Sequence, residues 1–97
     1  MSERESIEFP INGILDLHTF QPAEVKDLVP EYLEECRAHG ILQVRIIHGK
    51  GTGVLKRIVL SVLEKLPYVD SYHAAEETAG GWGATIVELK PIGAVKK

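Results

Sequence analysis

Hydrophobic and polar positions along the chain follow two different periods, which predict strands and helices in a regular order. Residues 13–18, GILDLH, place Leu15 and Leu17 on one face and Asp16 and His18 on the other, as in a half-buried strand. Apolar runs at 42–48, 69–74 and 84–89 predict further strands. The chain therefore begins and ends its folded part with strands.

Helical spacing of apolar residues marks the two segments between these strands. The first segment starts at Pro22, which suits the first turn of a helix, and stops before Gly40. Its apolar stripe continues in phase through Pro30, so we expect one helix with a bend there, the alternative being that the helix splits at Pro30. The second stripe ends at Pro67 and comprises Leu55, Ile58, Val59, Val62, Leu63 and Leu66.

The order of these elements, β-α-β-α-β-β, predicts the fold class. It favours an α/β two-layer sandwich: a mixed four-stranded sheet with two helices on one face, because right-handed βαβ crossovers place both helices there. The loop before the last strand permits an antiparallel return. We expect residues 1–12 to be a lead-in, 13–90 the domain and 91–97 a tail.

Composition narrows the class of protein. Ninety-seven residues that are 44% hydrophobic and 26% charged suit one soluble domain. No apolar run of about 18 residues predicts a membrane helix, and the first residues lack the apolar segment of a secretory signal. The single cysteine, Cys36, excludes an internal disulfide. We expect it to be a buried core thiol, with a reactive thiol as the alternative, in a cytoplasmic protein.

Charge is unevenly distributed along the chain. The net charge of −3 argues against a nucleic-acid partner, but residues 36–63 contain no acid and five bases. A local basic patch attracts phosphate whatever the total charge is. The alternative is chance clustering on a solvated face. The bases are Arg37, Arg45, Lys50, Lys56 and Arg57.

The turn His48–Gly53, HGKGTG, connects the second predicted strand to the second helix. Alternating glycines let the backbone approach a ligand, and the helix N-terminus offers free N–H groups to an anion. The spacing matches neither a Walker A loop nor GxGxxG, which argues against nucleotide hydrolysis. The alternative is a tight turn that needs glycine. The residues predicted here to bind phosphate are Gly49, Lys50, Gly51, Thr52, Gly53, Arg45, Lys56 and Arg57.

Three polar side chains lie near the carboxyl ends of the first two predicted strands. Asp16 and His18 are near the end of the first, and His48 ends the second. Since the carboxyl ends of parallel strands meet at one edge, we predict that these side chains converge. A carboxylate beside an imidazole can orient a general base, and the same side chains could instead hold a divalent metal. The bland alternative is that Asp16 bonds a turn and His18 caps the strand.

A glycine turn with the single tryptophan, Gly81-Trp82-Gly83, precedes the last predicted strand. An indole on such a turn can stack on an unpaired base. The alternative is that Trp82 folds back over the core. Both interpretations remain open.

Three motifs, LDLH at 15–18, HGKGTG at 48–53 and GGWGATIVEL at 80–89, together resemble the signature of the Smr (small MutS-related) domain. The resemblance implies a sandwich similar to the C-terminal domain of translation initiation factor three, DNA or RNA binding, and often endonuclease activity. It assigns Asp16 and His18 to the motif to which cleavage is ascribed. Thr19 follows that motif where many members have glycine. The other matching residues are His48, Gly49, Gly51, Gly53, Gly80, Gly81 and Gly83.

Three functions follow from these observations. The first is an endonuclease that nicks DNA or RNA, with Asp16, His18 and His48 as catalytic residues. The second is a non-catalytic RNA- or ribosome-binding module. The third is a small anion-binding or protein-interaction domain. We expect a stand-alone Smr domain with a nucleic-acid partner and no membrane partner, and the sequence leaves the metal and the oligomeric state open.

Overall fold

A computed structural model of the chain describes residues 11–49, 53–75 and 83–93. The elements are β1 (Ile14–Asp16), α1 (Pro22–Ala38), β2 (Gln43–Ile47), α2 (Val54–Lys65), β3 (Val69–Ala74) and β4 (Ala84–Leu89). The predicted order of strands and helices is confirmed. The predicted site residues outside the described ranges are Lys50, Gly51, Thr52, Gly81 and Trp82.

The strands form one mixed four-stranded sheet in the spatial order β1-β2-β4-β3. β1 runs parallel to β2, with Asp16 opposite Ile47. β2 runs antiparallel to β4, with Ile46 opposite Thr85, and β3 is antiparallel to β4 as predicted. β4 therefore separates β2 from β3, and the start of β4 lies beside the end of β2.

The core lies between one face of the sheet and the helices. Val44, Ile46 and Val87 are fully buried on this face and belong to the same apolar cluster as the inner stripes of α1 and α2. No described helix or strand covers the other face of the sheet, here called the open face, and Ile14 on it is 51% exposed. The chain is thus a two-layer α/β sandwich, as the pattern predicted.

Helix α1 is continuous through Pro30. An internal proline removes a helical hydrogen bond and destabilises a helix by about 3 kcal/mol, so tertiary packing must compensate. The stripe that packs on the sheet includes Val29 and Cys36, both fully buried. The Tyr68 hydroxyl also donates a hydrogen bond to the Pro30 carbonyl at 3.2 Å. The buried position predicted for the Cys36 thiol is confirmed.

Strand β1 is shorter than the predicted 13–18. The Asp16 carboxylate accepts the backbone N–H of His18 at 3.0 Å, which turns the chain immediately after the strand. At the other end, the Tyr32 hydroxyl accepts the N–H of Gly13 at 3.2 Å and donates to the Ile14 carbonyl at 3.2 Å. A side chain of α1 thus fixes the position of this short edge strand.

Neither helix in the described part of the chain has the length and hydrophobicity that a membrane span requires.

Candidate functional site

Asp16 and His18 form a side-chain pair at the carboxyl end of β1. The Nδ1 atom of His18 lies 2.7 Å from Oδ1 of Asp16, and the same oxygen accepts the His18 backbone N–H at 3.0 Å. This backbone hydrogen bond is the main reason why the pKa of the Asp16 carboxyl lies below its usual value, and the ring contact adds to it. Asp16 is therefore a carboxylate at neutral pH.

The pair leaves one imidazole nitrogen available to a ligand. A carboxylate only accepts hydrogen bonds, so Nδ1 of His18 carries a proton and Nε2 is the nitrogen that can exchange one. No described residue hydrogen-bonds Nε2, and the two side chains are 68% and 48% exposed for His18 and Asp16. The arrangement can accept a proton from, or return it to, a molecule bound at the surface.

His48 follows β2 and has a different environment. Its residue is only 5% exposed, with Nε2 2.9 Å from Thr85 Oγ1 and Nδ1 3.2 Å from the Gly49 carbonyl oxygen. Because a carbonyl only accepts, Nδ1 donates to Gly49, and Nε2 then accepts from the Thr85 hydroxyl. Burial lowers the pKa of His48, and the positive charge of Lys56 lowers it further. The ring is thus neutral.

The structure brings Asp16 and His18 together but directs His48 to the other side of the sheet. Asp16 is opposite Ile47, on the open face, whereas Thr85 is opposite Ile46, on the face that the helices cover. The expected convergence of all three side chains is corrected, because residues 46 and 48 share a face by strand alternation. A catalytic role for His48 stays a prediction, and its hydrogen bonds suit a positioning role.

Gly49 and Gly83 are in direct backbone contact. The Gly83 carbonyl accepts the N–H groups of His48 at 2.7 Å and Gly49 at 2.9 Å. A Cβ atom at Gly83 would lie 3.0 Å from the Gly49 Cα, a tighter contact than Cβ atoms usually make, so the Gly49 backbone would have to shift. The second and third glycine motifs therefore form one backbone unit, although more than thirty residues separate them.

Left-handed backbone explains the glycines at positions 49 and 53 but does not apply to Thr19. Gly49 and Gly53 have φ angles of 82° and 87°, where glycine is favoured, and Gly53 is the N-cap of α2. None of the described non-glycine residues has a positive φ. The backbone at Thr19 consequently does not require a glycine.

The bases that sequence placed in one cluster lie on two sides of the domain. Arg45 is on the open face of the sheet, opposite Ile14 and Ile86. Lys56 and Arg57 are exposed near the start of α2, in the helix layer. An acid-free segment of sequence does not form one surface here because strand and helix residues point in different directions.

Arg37 has a structural role. Its Nε atom donates to the Lys90 carbonyl at 2.8 Å, and its guanidinium lies 4.6 Å from the centre of the Tyr68 ring. These contacts fasten the end of α1 to the chain after β4. Arg37 is therefore engaged within the fold and not directed at the candidate site.

Thr85 is the residue of this region that the sequence analysis did not identify. It is 2% exposed and donates the hydrogen bond that holds His48. The sequence did contain a signal that Thr85 is buried, because Thr85 lies on the same face of the strand as Val87 and Leu89, which are buried.

Metal ligation has little support in the part of the chain that the structure describes. No group of three or more His, Cys, Asp or Glu side chains there converges in a way that could hold a metal ion. Asp16 and His18 offer two adjacent donors. The divalent metal that the sequence analysis considered thus remains a question for cleavage assays.

Sequence comparison places this arrangement among known proteins. The Smr domain family matches residues 15–90. The endonuclease MutS2 of Halothermothrix orenii is 40% identical over 80 residues, which are 82% of this chain and 10% of that protein. The endonuclease MutS2 of Carboxydothermus hydrogenoformans is 41% identical over 76 residues, 78% of this chain and 10% of that protein. The chain spans about a tenth of the length of these curated relatives.

Solved structures share the fold. The Smr domain of Thermus thermophilus MutS2 superposes with a TM-score of 0.78 and 38% identity, over 82% of this chain and 100% of that one. YdaL, a stand-alone small MutS-related protein from Escherichia coli, superposes with a TM-score of 0.76 and 28% identity, over 89% of this chain and 70% of that one. Motifs, fold and the match over residues 15–90 agree, and the chain belongs to the Smr domain family.

Proposed function

We propose that this Smr domain binds DNA or RNA at the edge formed by the carboxyl ends of β1 and β2, and cleaves a phosphodiester bond there as an endonuclease. The observation that carries the proposal is the exposed Asp16–His18 pair, with its 2.7 Å hydrogen bond. Relatives that are named endonuclease MutS2 support the same activity.

In the proposed reaction, Asp16 keeps His18 in the tautomer with a proton on Nδ1. Nε2 of His18 then accepts the proton of the attacking oxygen, which is that of water or, in RNA, of the neighbouring 2′-hydroxyl. That oxygen forms a bond to phosphorus while the bond from phosphorus to the leaving oxygen breaks. His18 returns the proton to the leaving oxygen, so one residue serves as base and then as acid.

The phosphate is held in this proposal by the turn that leads into α2. The first N–H groups of a helix lack partners within it and carry partial positive charge, so they bind anions. Gly49 and Gly53 give the turn its left-handed backbone. Lys56 in the first turn of α2 adds a full charge, and Lys50 is a predicted contributor on sequence grounds. His48, Thr85 and Gly83 position the turn.

The test is a cleavage assay with supercoiled plasmid and with structured RNA, each with divalent metal and with chelator. Asp16→Asn and His18→Gln should lower the cleavage rate by about 10²- to 10⁴-fold, the usual contribution of general acid–base catalysis. Binding of uncleaved substrate should be retained. His73→Gln is the matched control, since it removes an exposed histidine on β3.

Two results would contradict the proposal in different ways. Cleavage by Asp16→Asn and His18→Gln at the wild-type rate would exclude this pair as the catalytic group. Salt-dependent binding without any cleavage by the wild type would support the non-catalytic binding module instead. If the chelator abolishes cleavage and added divalent metal restores it, the reaction uses a divalent ion.

A further inference from the structure

A positively charged groove lies between α1 and α2, in the helix layer. Its volume is about 300 Å³. Two aliphatic side chains, one hydroxyl and three cationic groups line it, and no acid does. The lining residues are Lys26, Arg57, Ile58, Ser61, Val62 and Lys65.

The cationic groups of this groove have no carboxylate partners within the described ranges. The ion pair found there joins Asp16 to His18, and Lys26, Arg57 and Lys65 form none with a described residue. This is unexpected in a chain with 14 acids and 11 bases. Three like charges around one groove repel each other, and an anion bound between them would relieve that repulsion.

Outside the groove, the charged residues of helix α1 are mostly acidic. They include the exposed Glu24, Asp27 and Glu31. Lys26 is the base that α1 contributes to the groove. The acidic remainder of α1 would repel a polyanion, so an anion on this side of the domain is directed into the groove.

The dimensions of the groove suit a chain of phosphates. Arg57, Ser61 and Lys65 are spaced four residues apart and share one face of α2. At 1.5 Å per residue, Arg57 and Lys65 are about 12 Å apart along the helix axis. One strand of a B-form duplex has a phosphate about every 3.4 Å of axis, so this distance corresponds to roughly three to four phosphate spacings.

The groove also begins at the candidate site. Arg57 lies four residues after Gly53, the N-cap of α2, and its N–H bonds the Gly53 carbonyl at 3.0 Å. Lys26 lies in the second turn of α1, which starts shortly after His18. Both walls therefore start at the edge of the sheet where cleavage is proposed.

We propose that this groove is a second nucleic-acid subsite, a phosphate track that holds the phosphodiester backbone next to the scissile phosphate. The inference rests on the proposed function. Cations and a hydroxyl supply the contacts, and no group in the groove is placed to distinguish bases. The track therefore adds affinity and orientation without sequence preference.

The test measures fluorescence anisotropy of labelled 12-nucleotide single-stranded DNA, RNA of the same sequence and duplex DNA, at increasing salt. The track variant combines Lys26→Gln, Arg57→Gln and Lys65→Gln. The control combines Lys90→Gln, Lys96→Gln and Lys97→Gln and removes the same net charge. Each neutralised phosphate contributes about 0.7 to the slope of log affinity against log salt on a single strand, so the track variant should lose about two units. The control should keep the wild-type slope.

Further variants test whether the charge at these three positions causes the change in slope. Lys26→Arg, Arg57→Lys and Lys65→Arg together keep the charges and should keep the slope. If melting by circular dichroism shows that the triple glutamine variant does not fold, Arg57→Gln alone should lose about 0.7 units. The difference among the three probes identifies which nucleic acid occupies the track.

The possible failures are distinguishable. A wild type that binds none of the three probes in a salt-dependent way overturns the proposed function and the track with it. A wild type that binds, with equal slopes in the wild type and the track variant, overturns the track alone. Equal losses in the track variant and the control also overturn it, because they report net charge and not position.

Discussion

The His48 imidazole and the Thr85 hydroxyl meet at 2.9 Å on the helix-covered face of the sheet, and join the end of β2 to the start of β4. Both residues are at least 95% buried. Since Nδ1 of His48 donates to the Gly49 carbonyl, the hydroxyl of Thr85 is the donor to Nε2. The bond from Thr85 therefore depends on a neutral ring, whereas the bond to the Gly49 carbonyl does not.

Thr85→Val is expected to destabilise the domain. Valine keeps the shape of threonine but removes the donor, so Nε2 of His48 is left buried without a partner. Such a group usually lowers the free energy of unfolding by about 1–3 kcal/mol. Urea denaturation measures this change, with Thr19→Val as the control because Thr19 is exposed. A loss at Thr85 no larger than that at Thr19 would contradict the inferred hydrogen bond.

Stability should fall as the pH decreases below about 6.5. Burial lowers the pKa of His48 in the folded chain, whereas the unfolded chain has the ordinary value of 6.5. Below that pH the unfolded state binds a proton that the folded state does not, so unfolding becomes more favourable. The loss ends once the pH is below the folded pKa. The lowered pKa of Asp16 acts separately, as the pH falls below its ordinary value of 3.8.

Melting temperatures of the wild type and His48→Gln between pH 7.5 and 5 test this prediction. The variant lacks the titrating ring and should lose less stability over that interval than the wild type. His73→Gln is compared in parallel, since it removes an exposed imidazole. If His48→Gln loses stability on acidification as steeply as the wild type, the pH dependence has another origin.

Gly49 and Gly83 should respond differently to the same substitutions. Alanine at Gly83 places Cβ against the Gly49 backbone, and overpacking of this kind destabilises by about 1–3 kcal/mol. Alanine at Gly49 meets no atom within 4 Å but must adopt a φ of +82°, which costs about 1–2 kcal/mol.

Asparagine separates the two causes, because it tolerates left-handed backbone. Gly49→Asn should be more stable than Gly49→Ala, whereas Gly83→Asn should gain nothing over Gly83→Ala. Urea denaturation of the four variants gives the comparison. A recovery at both positions would mean that Gly83 also depends on backbone angle and not on its contact with Gly49.

Trp82 lies outside the described residues, so its role remains a prediction from sequence. If the indole stacks on a base, Trp82→Ala should weaken single-strand binding by about 1–3 kcal/mol and leave the melting temperature nearly unchanged. An oligonucleotide should also quench the fluorescence of the wild type. A variant destabilised by about 3–5 kcal/mol, without quenching in the wild type, would make Trp82 a core residue.

The local pattern of apolar and polar residues was sufficient to predict the helices and strands of this fold. Pro22 predicted the start of α1. The apolar stripe predicted that the helix continues through Pro30, because the buried positions keep helical phase on both sides of the proline. The bounds predicted for β3 and β4 are those observed. β1 was predicted too long because the alternation of Leu15 and Leu17 does not reveal that Asp16 turns the chain by binding the His18 N–H.

The site required information that no local pattern contains. That Asp16 and His18 share a face follows from strand alternation, and the structure agrees. The same alternation, from Val44 through Ile46 to His48, indicates a buried His48, but its position at a strand end suggested a shared site. The partner Thr85 is 37 residues away, and its place depends on β4 pairing with β2, which sequence order does not specify.

The central position of β4 has a consequence for how the domain is made. Translation delivers β2 and β3 before β4, yet each of them needs β4 as its hydrogen-bonding neighbour. A nascent chain that ends before residue 83 therefore exposes the strand edges that β4 will cover, and such edges favour aggregation. It also lacks Gly83 and Thr85, so the turn after β2 acquires its final geometry only when the last strand of the domain has left the ribosome.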